Sequence, residues 1–116
     1  MSEVTILHNP RCSKSRETLA LLEQRGLQPR IVAYLDDPPA AAEIARILDL
    51  LGMQPRELMR RNEAEYAELG LDDPALDRDT LIAAMHRHPR LIERPIVLAN
   101  GKAAIGRPPE AVLAIL

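Results

Sequence analysis

The chain has 116 residues, a formal net charge of −2 and only 2% aromatic residues, with neither Phe nor Trp. That length suits one domain with one core, which must be aliphatic because 47% of residues are hydrophobic and almost none are aromatic. The near-neutral balance excludes a global basic field for phosphate backbones, and the scarcity of aromatics argues against nucleic-acid binding by base stacking.

Val4–His8 alternates as a first strand, and a helical pattern follows from about Ser15 to Arg25, with Leu19 and Leu22 on one face and Gly26 placed to end it. Arg30–Leu35 is expected to be a second, buried strand, parallel to the first with a right-handed crossover. Asp37-Pro38-Pro39 is a helix start, and Ile44, Ile47, Leu48 and Leu51 give the spacing of one helix face before Gly52. Helices are expected over Pro55–Arg61, over Glu63–Leu69 and, capped by Asp77 or Asp79, through Leu81, Ile82 and Met85 to a stop at Pro89. Residues 38–88 thus form a helical insert without a strand. Pro95–Ala99 and Lys102–Ile105 flank Asn100-Gly101, a hairpin signal. Pro108-Pro109 opens a last helix offering Val112, Leu113 and Leu116 to the core. The order β-α-β, helical insert, β-β-α predicts a single α/β domain over residues 1–116 with a thioredoxin-like mixed sheet.

Cys12 falls between the first strand and the first helix. A helix N-terminus exposes unpaired N–H groups and partial positive charge, both of which favour thiolate over thiol. Arg11, Lys14 and Arg16 add cations. A lone cysteine is more often a small buried hydrophobe, but this one sits in a polar turn outside the periodic core positions. It is therefore read as an accessible reactive thiol beside an anion cradle. His8 is an assisting group or, equally, a core strand residue. Ser15, three residues after Cys12, makes the pattern Cys-x-x-Ser: it donates to the thiolate or bonds a backbone amide as a first-turn serine. A monothiol of this kind needs a second thiol from outside.

A single Cys forms neither an internal disulfide nor a thiolate metal cluster. His86 and His88 lack a matching ligand cluster, so no metal is expected. Met1-Ser2-Glu3 carries no signal-peptide character, and no apolar run approaches membrane-spanning length, so a cytoplasmic protein is expected. A free thiol suits that reducing compartment.

Over nearly its whole length the chain resembles the glutaredoxin-linked arsenate reductase family of bacteria. The residues that carry the likeness are His8-Asn9-Pro10-x-Cys12-x-x-Ser15-Arg16, Tyr34-Leu35 with Pro38-Pro39, and Glu57-Leu58-Met59-Arg60. Tyr66-x-Glu68-Leu69-Gly70-Leu71, His88-Pro89-x-Leu91-Ile92-x-Arg94-Pro95-Ile96-Val97 and Gly106-Arg107-Pro108 complete it. Cys12-Ser13-Lys14-Ser15 stands where members often have Cys-Gly-Thr-Ser, and the chain looks closest to a housekeeping branch. The resemblance implies that Cys12 attacks arsenate, with His8 favouring its thiolate. It implies oxyanion binding by Arg60, Arg94 and Arg107, and a cis proline at Pro95. Glutathione would be the co-substrate and glutaredoxin the partner, with no tightly bound cofactor.

Two other functions fit the same pattern. One is a monothiol thiol-disulfide reductase acting on another substrate. The other is a non-enzymatic redox-sensing regulator that binds RNA polymerase; such proteins typically carry Cys-x-x-Cys, and Ser15 occupies the second cysteine's place.

Overall fold

The structure is a computed structural model and describes residues 3–116, so the reading of Met1-Ser2 concerns sequence outside the described range. The chain divides into two compact units, one running to Asp37 and resuming at Arg94, the other Pro38–Glu93.

The first unit carries strands β1 (Thr5–Leu7), β2 (Arg30–Val32), β3 (Ile96–Ala99) and β4 (Lys102–Ile105), with helix α1 (Ser13–Gln24) and a terminal 3₁₀ helix (Pro109–Ile115). The sheet order is β2-β1-β3-β4; β1 runs parallel to β2, as the βαβ reading requires, and antiparallel to β3. Ile6 pairs with Val97, and Val97 with Ala104, so one row of aliphatic side chains crosses three strands on one face. Leu22 of α1 and Val112 and Ile115 of the terminal helix pack onto that row. The hairpin between β3 and β4 closes through two residues, Asn100 and Gly101, at φ 55° and 72°. Positive φ at both positions matches strand twist in a tight turn, and Asn-Gly tolerates it.

Three expectations for this unit need correction. The second strand is short and exposed rather than buried. It stands at the sheet edge with Ile31 52% exposed, and the chain turns at Ala33, whose carbonyl accepts from the amides of Asp36 and Asp37. Helix α1 begins at Ser13 rather than Ser15, because Cys12 itself is the N-cap residue. The last helix is 3₁₀ rather than α. With three residues per turn, Pro109, Val112 and Ile115 share the buried side, while Leu116 stays 39% exposed.

The second unit holds α2 (Ala41–Leu51), α3 (Pro55–Leu58), α4 (Ala64–Glu68) and α5 (Arg78–Arg87), then a 3₁₀ turn at Pro89–Leu91. Ile44, Ile47 and Leu48 of α2 are buried as the spacing predicts, and α2 packs on α5, which buries Leu81, Ile82 and Met85. Asp77 is the residue that caps α5, its Oδ1 accepting from the Thr80 amide at 2.8 Å. Asp37 does not cap α2; the helix starts three residues beyond Pro38, behind Ala40. A residue before proline is pushed out of α geometry, which delays the start through the Asp37-Pro38-Pro39 run. The second unit also contains a strand-like pairing that the helical patterning of residues 38–88 hides. Met59 bridges Ile92, the Arg60 amide donates to the Leu91 carbonyl at 2.6 Å, and the Glu93 amide donates to the Leu58 carbonyl at 2.8 Å. That bridge stops α3 at Leu58, short of the expected Arg61.

No helix among the described residues is long and apolar enough to cross a membrane.

Candidate active site

The site grows from the end of β1. The His8 amide continues the parallel pairing by donating to the Val32 carbonyl at 2.9 Å. The chain then folds on itself: the Cys12 amide donates to the Asn9 carbonyl at 3.0 Å, and the Asn9 Oδ1 accepts from the Arg11 amide at 3.0 Å. Asn9 is buried, and this side-chain turn is the local reason for the tight bend before Pro10. Arg16 clamps the loop from α1 through Nη1 on the Pro10 carbonyl at 2.9 Å.

Cys12 occupies the N-cap with extended backbone, φ −94° and ψ 123°. It is only 8% exposed, more covered than a freely accessible thiol. Burial pushes its pKa up, yet the opposing influences win and the thiol lies below its ordinary value. These are the Ser15 amide, the Arg94 guanidinium through a hydrogen bond and its charge, and the Lys14 amide. Arg107 adds a further contact, its Nη2 lying 3.6 Å from the Cys12 Sγ. The covered sulfur is therefore held by helix-terminus amides and guanidinium groups, the environment that favours thiolate.

Ser15 is fully buried. Its Oγ accepts from the Asn9 amide at 2.9 Å and pairs with His8 Nδ1 at 2.7 Å. The hydroxyl thus ties the strand end to the helix, and it is the Ser15 backbone N–H that serves the sulfur. Burial first, and the charge of Arg16 second, push the His8 pKa below its ordinary 6.5. That direction disfavours an imidazolium beside the thiol, and the hydrogen bond of the His8 ring is to the Ser15 hydroxyl rather than to the sulfur.

Arg94 and Arg107 come together although thirteen residues apart in sequence, with Arg107 Nε donating to the Arg94 carbonyl at 2.8 Å. Both precede proline in a cis peptide bond, at Arg94-Pro95 and at Arg107-Pro108. Gly106 explains their registry. Its amide donates to the Pro95 carbonyl at 2.9 Å, and a Cβ placed there would meet the Thr18 side chain and approach the Pro95 ring to 2.8 Å. Only glycine lets this segment lie so close to α1 and β3. Thr18 is itself buried, with its Oγ1 donating to the Lys14 carbonyl at 2.8 Å. Sequence reasoning missed Asn9, Thr18 and Gly106 as builders of the site. Asn9 before Pro10 and Gly106 before Arg107 were the visible signals.

Arg60 belongs to the second unit. Its Nη1 lies 3.0 Å from Glu93 Oε1 and its Nε 3.4 Å from Glu63 Oε1, so two carboxylates offset its charge there. Among the described residues no three His, Cys, Asp or Glu groups could hold a metal ion; His86 instead pairs through Nδ1 with the Pro39 carbonyl at 2.8 Å.

The sequence pattern of the ArsC family matches residues 7–115. The chain belongs to the ArsC family. Among ArsC relatives, an arsenate reductase of Neisseria meningitidis serogroup A is 55% identical over the whole of both chains. An arsenate reductase of Escherichia coli is 41% identical over 100% of this chain and 82% of its own length. A solved structure, arsenate reductase from Vibrio cholerae, superposes with a TM-score of 0.96 at 54% identity, covering 98% of each chain. The ArsC fold is the expected thioredoxin-like mixed sheet.

Proposed function

We propose that this ArsC protein reduces arsenate to arsenite, with Cys12 as nucleophile, glutathione as co-substrate and glutaredoxin as the recycling partner. The observation that carries the reading is the Cys12 Sγ on a helix N-cap, with Arg94 lowering its pKa and Arg107 Nη2 at 3.6 Å. An anionic nucleophile and an anionic substrate repel each other. Guanidinium groups fixed at the sulfur offset that repulsion and stabilise the charge that develops as the S–As bond forms.

The chemistry balances with two thiols. The Cys12 thiolate displaces one arsenate oxygen, which leaves as water, and gives a thiol–arsenate adduct still at As(V). A glutathione thiolate attacks the Cys12 sulfur of that adduct. The S–As bond breaks with its electron pair on arsenic, releasing As(III) as arsenite and leaving a Cys12–glutathione disulfide. Glutaredoxin then reduces this disulfide. Cys-x-x-Ser supports an external resolving thiol, because Ser15 offers no second sulfur. The reading takes the chain as one working domain in the cytoplasm. Arg94 and Arg107 hold the oxyanion, and the family resemblance adds Arg60 to that set.

The test is arsenate-dependent NADPH consumption in a coupled assay with glutathione, glutathione reductase and glutaredoxin, with phosphate and selenate as comparators. Cys12→Ser abolishes the signal while circular dichroism and melting temperature stay close to the parent. Turnover retained by purified Cys12→Ser overturns the nucleophile. Absence of arsenate turnover alongside reduction of a glutathione mixed disulfide shifts the reading to a monothiol thiol-disulfide reductase.

A further inference from the structure

A cavity of about 300 Å³ opens between the loops that leave the two parallel strands, lined by residues 8–11 after β1 and by Ala33, Leu35 and Asp36 after β2. Ligands of open α/β sheets bind in the crevice outside the carboxyl ends of parallel strands. A volume of roughly 300 Å³ also stands at the lower end of small-molecule sites. Pro10, Ala33 and Leu35 give the cavity apolar surface, and its charged groups are one cation, Arg11, and one anion, Asp36.

The disposition of those two charges is informative. Arg11 uses its backbone amide on Asn9 Oδ1, and Asp36 uses its own on the Ala33 carbonyl. Neither side chain is engaged in a hydrogen bond or ion pair among the described residues. They share one cavity, opposite in sign, and are not joined to each other. The groove beside Pro108 and Pro109 differs: among its described lining residues the cation is Lys14, which already lies 3.5 Å from Glu17.

We propose that this cavity is the binding site for the reducing thiol: a small zwitterionic peptide of the glutathione class, its carboxylate on Arg11 and its ammonium on Asp36. The proposal rests on the reading of Cys12 as a monothiol nucleophile, since such a nucleophile requires a thiol from outside. The location suits the task. One wall of the cavity is the nucleophile's own loop, in which Asn9 holds both the Cys12 amide through its carbonyl and the Arg11 amide through its side chain. A peptide seated there lies against the segment that carries the sulfur. Charge-assisted contacts at two points orient it more than apolar burial alone would.

The experiment uses the full chain and S-methylglutathione, a capped peptide that forms no disulfide, so binding is read apart from chemistry. Calorimetric titration is expected to show Kd weakened about tenfold in Arg11→Ala and in Asp36→Ala, with Arg11→Lys retaining most of the affinity. Amide shifts of residues 8–11 and 33–36 are expected to follow the same titration. In turnover, KM for glutathione rises by a similar factor in both alanine variants. Equal affinity in parent and variants, or amide shifts confined to other residues, overturns the site. Failure of the site and failure of the reductase reading separate cleanly. A protein inert toward arsenate that still binds the capped peptide through Arg11 and Asp36 upholds the cavity and removes the reductase. A protein that turns over arsenate with KM for glutathione indifferent to both variants does the reverse.

Discussion

The single sulfhydryl shows how a side chain's chemistry is set by its immediate neighbours. Cys12 is covered, and burial alone would keep it protonated; amides from one turn of helix and the Arg94 guanidinium reverse the sign. The rate of iodoacetamide alkylation against pH should therefore reach half its maximum below 9.0, and Arg94→Ala should move that midpoint upward. The linkage sign follows. A thiol whose folded pKa is depressed contributes stability in full above its unfolded pKa, and loses it as pH falls through the folded value. The stability gap between the parent and Cys12→Ser should accordingly widen with rising pH. A midpoint at or above 9.0 would remove the case for a thiolate. Arginines also divide by context. Arg90 is 66% exposed and paired with Glu63 at 3.3 Å, a surface ion pair of little energetic weight. Arg94→Ala should weaken sulfate or arsenate binding at least tenfold, a loss of ~1.4 kcal/mol, and Arg90→Ala hardly at all. Equal effects in the same titration would undo the assigned cradle.

Among the elements, the junction of β4, α1 and β3 carries the greatest constraint. Gly106 lies where a side chain would collide with Thr18 and Pro95, and the next residue is the arginine that reaches the Cys12 sulfur. Gly106→Ala should destabilise the fold by about 1–3 kcal/mol through overpacking, read as a lower urea midpoint. It should also raise the alkylation midpoint of Cys12, because Arg107 is displaced from Sγ. Adding Thr18→Ala to Gly106→Ala removes the nearest obstacle and should recover part of both losses. A Gly106→Ala variant with unchanged thiol titration would show that the close approach serves packing alone. The terminal 3₁₀ helix is part of the same junction. Its threefold period places Val112 and Ile115 on the sheet beside Leu22, an arrangement an α-helical reading of the same residues misassigns to Leu116.

Across the chain, oxyanion binding and folding are linked by mass action. An anion that binds only the native state adds stability, about 2.7 kcal/mol at one hundred times its dissociation constant. Sulfate, which mimics arsenate without being reduced by this chemistry, should raise the melting temperature of the parent in a concentration-dependent way. The increment should shrink in Arg94→Ala. A shift of equal size in both proteins would mark a general salt effect. The Arg60→Ala variant belongs in the same series, since its guanidinium is already offset by Glu63 and Glu93. A reduced increment there supports its place in the oxyanion set, and an unchanged one confines it to the second unit's ion pairs.

Much of this protein is written in short-range patterns. Strand alternation before Cys12, the Asn100-Gly101 turn, the aliphatic face of α2 and the Asp77 cap are local facts of geometry, and each predicts its element from a few residues. The candidate nucleophile proposed above is equally local, since the one cysteine of the sequence stands at a strand-to-helix turn. Contacts distant in sequence were hidden for the complementary reason: no local pattern encodes them. The bridge of Met59 to Ile92 ends a helix that propensity would extend. Ser15 spends its hydroxyl on His8 and Asn9, and Arg107 reaches a sulfur 95 positions away. Whether the thiol ionises is therefore a tertiary property. Its pKa is the balance between burial on one side and the Ser15 and Lys14 amides with the Arg94 guanidinium on the other, and that balance exists only once the sheet has brought Arg94 to the start of α1.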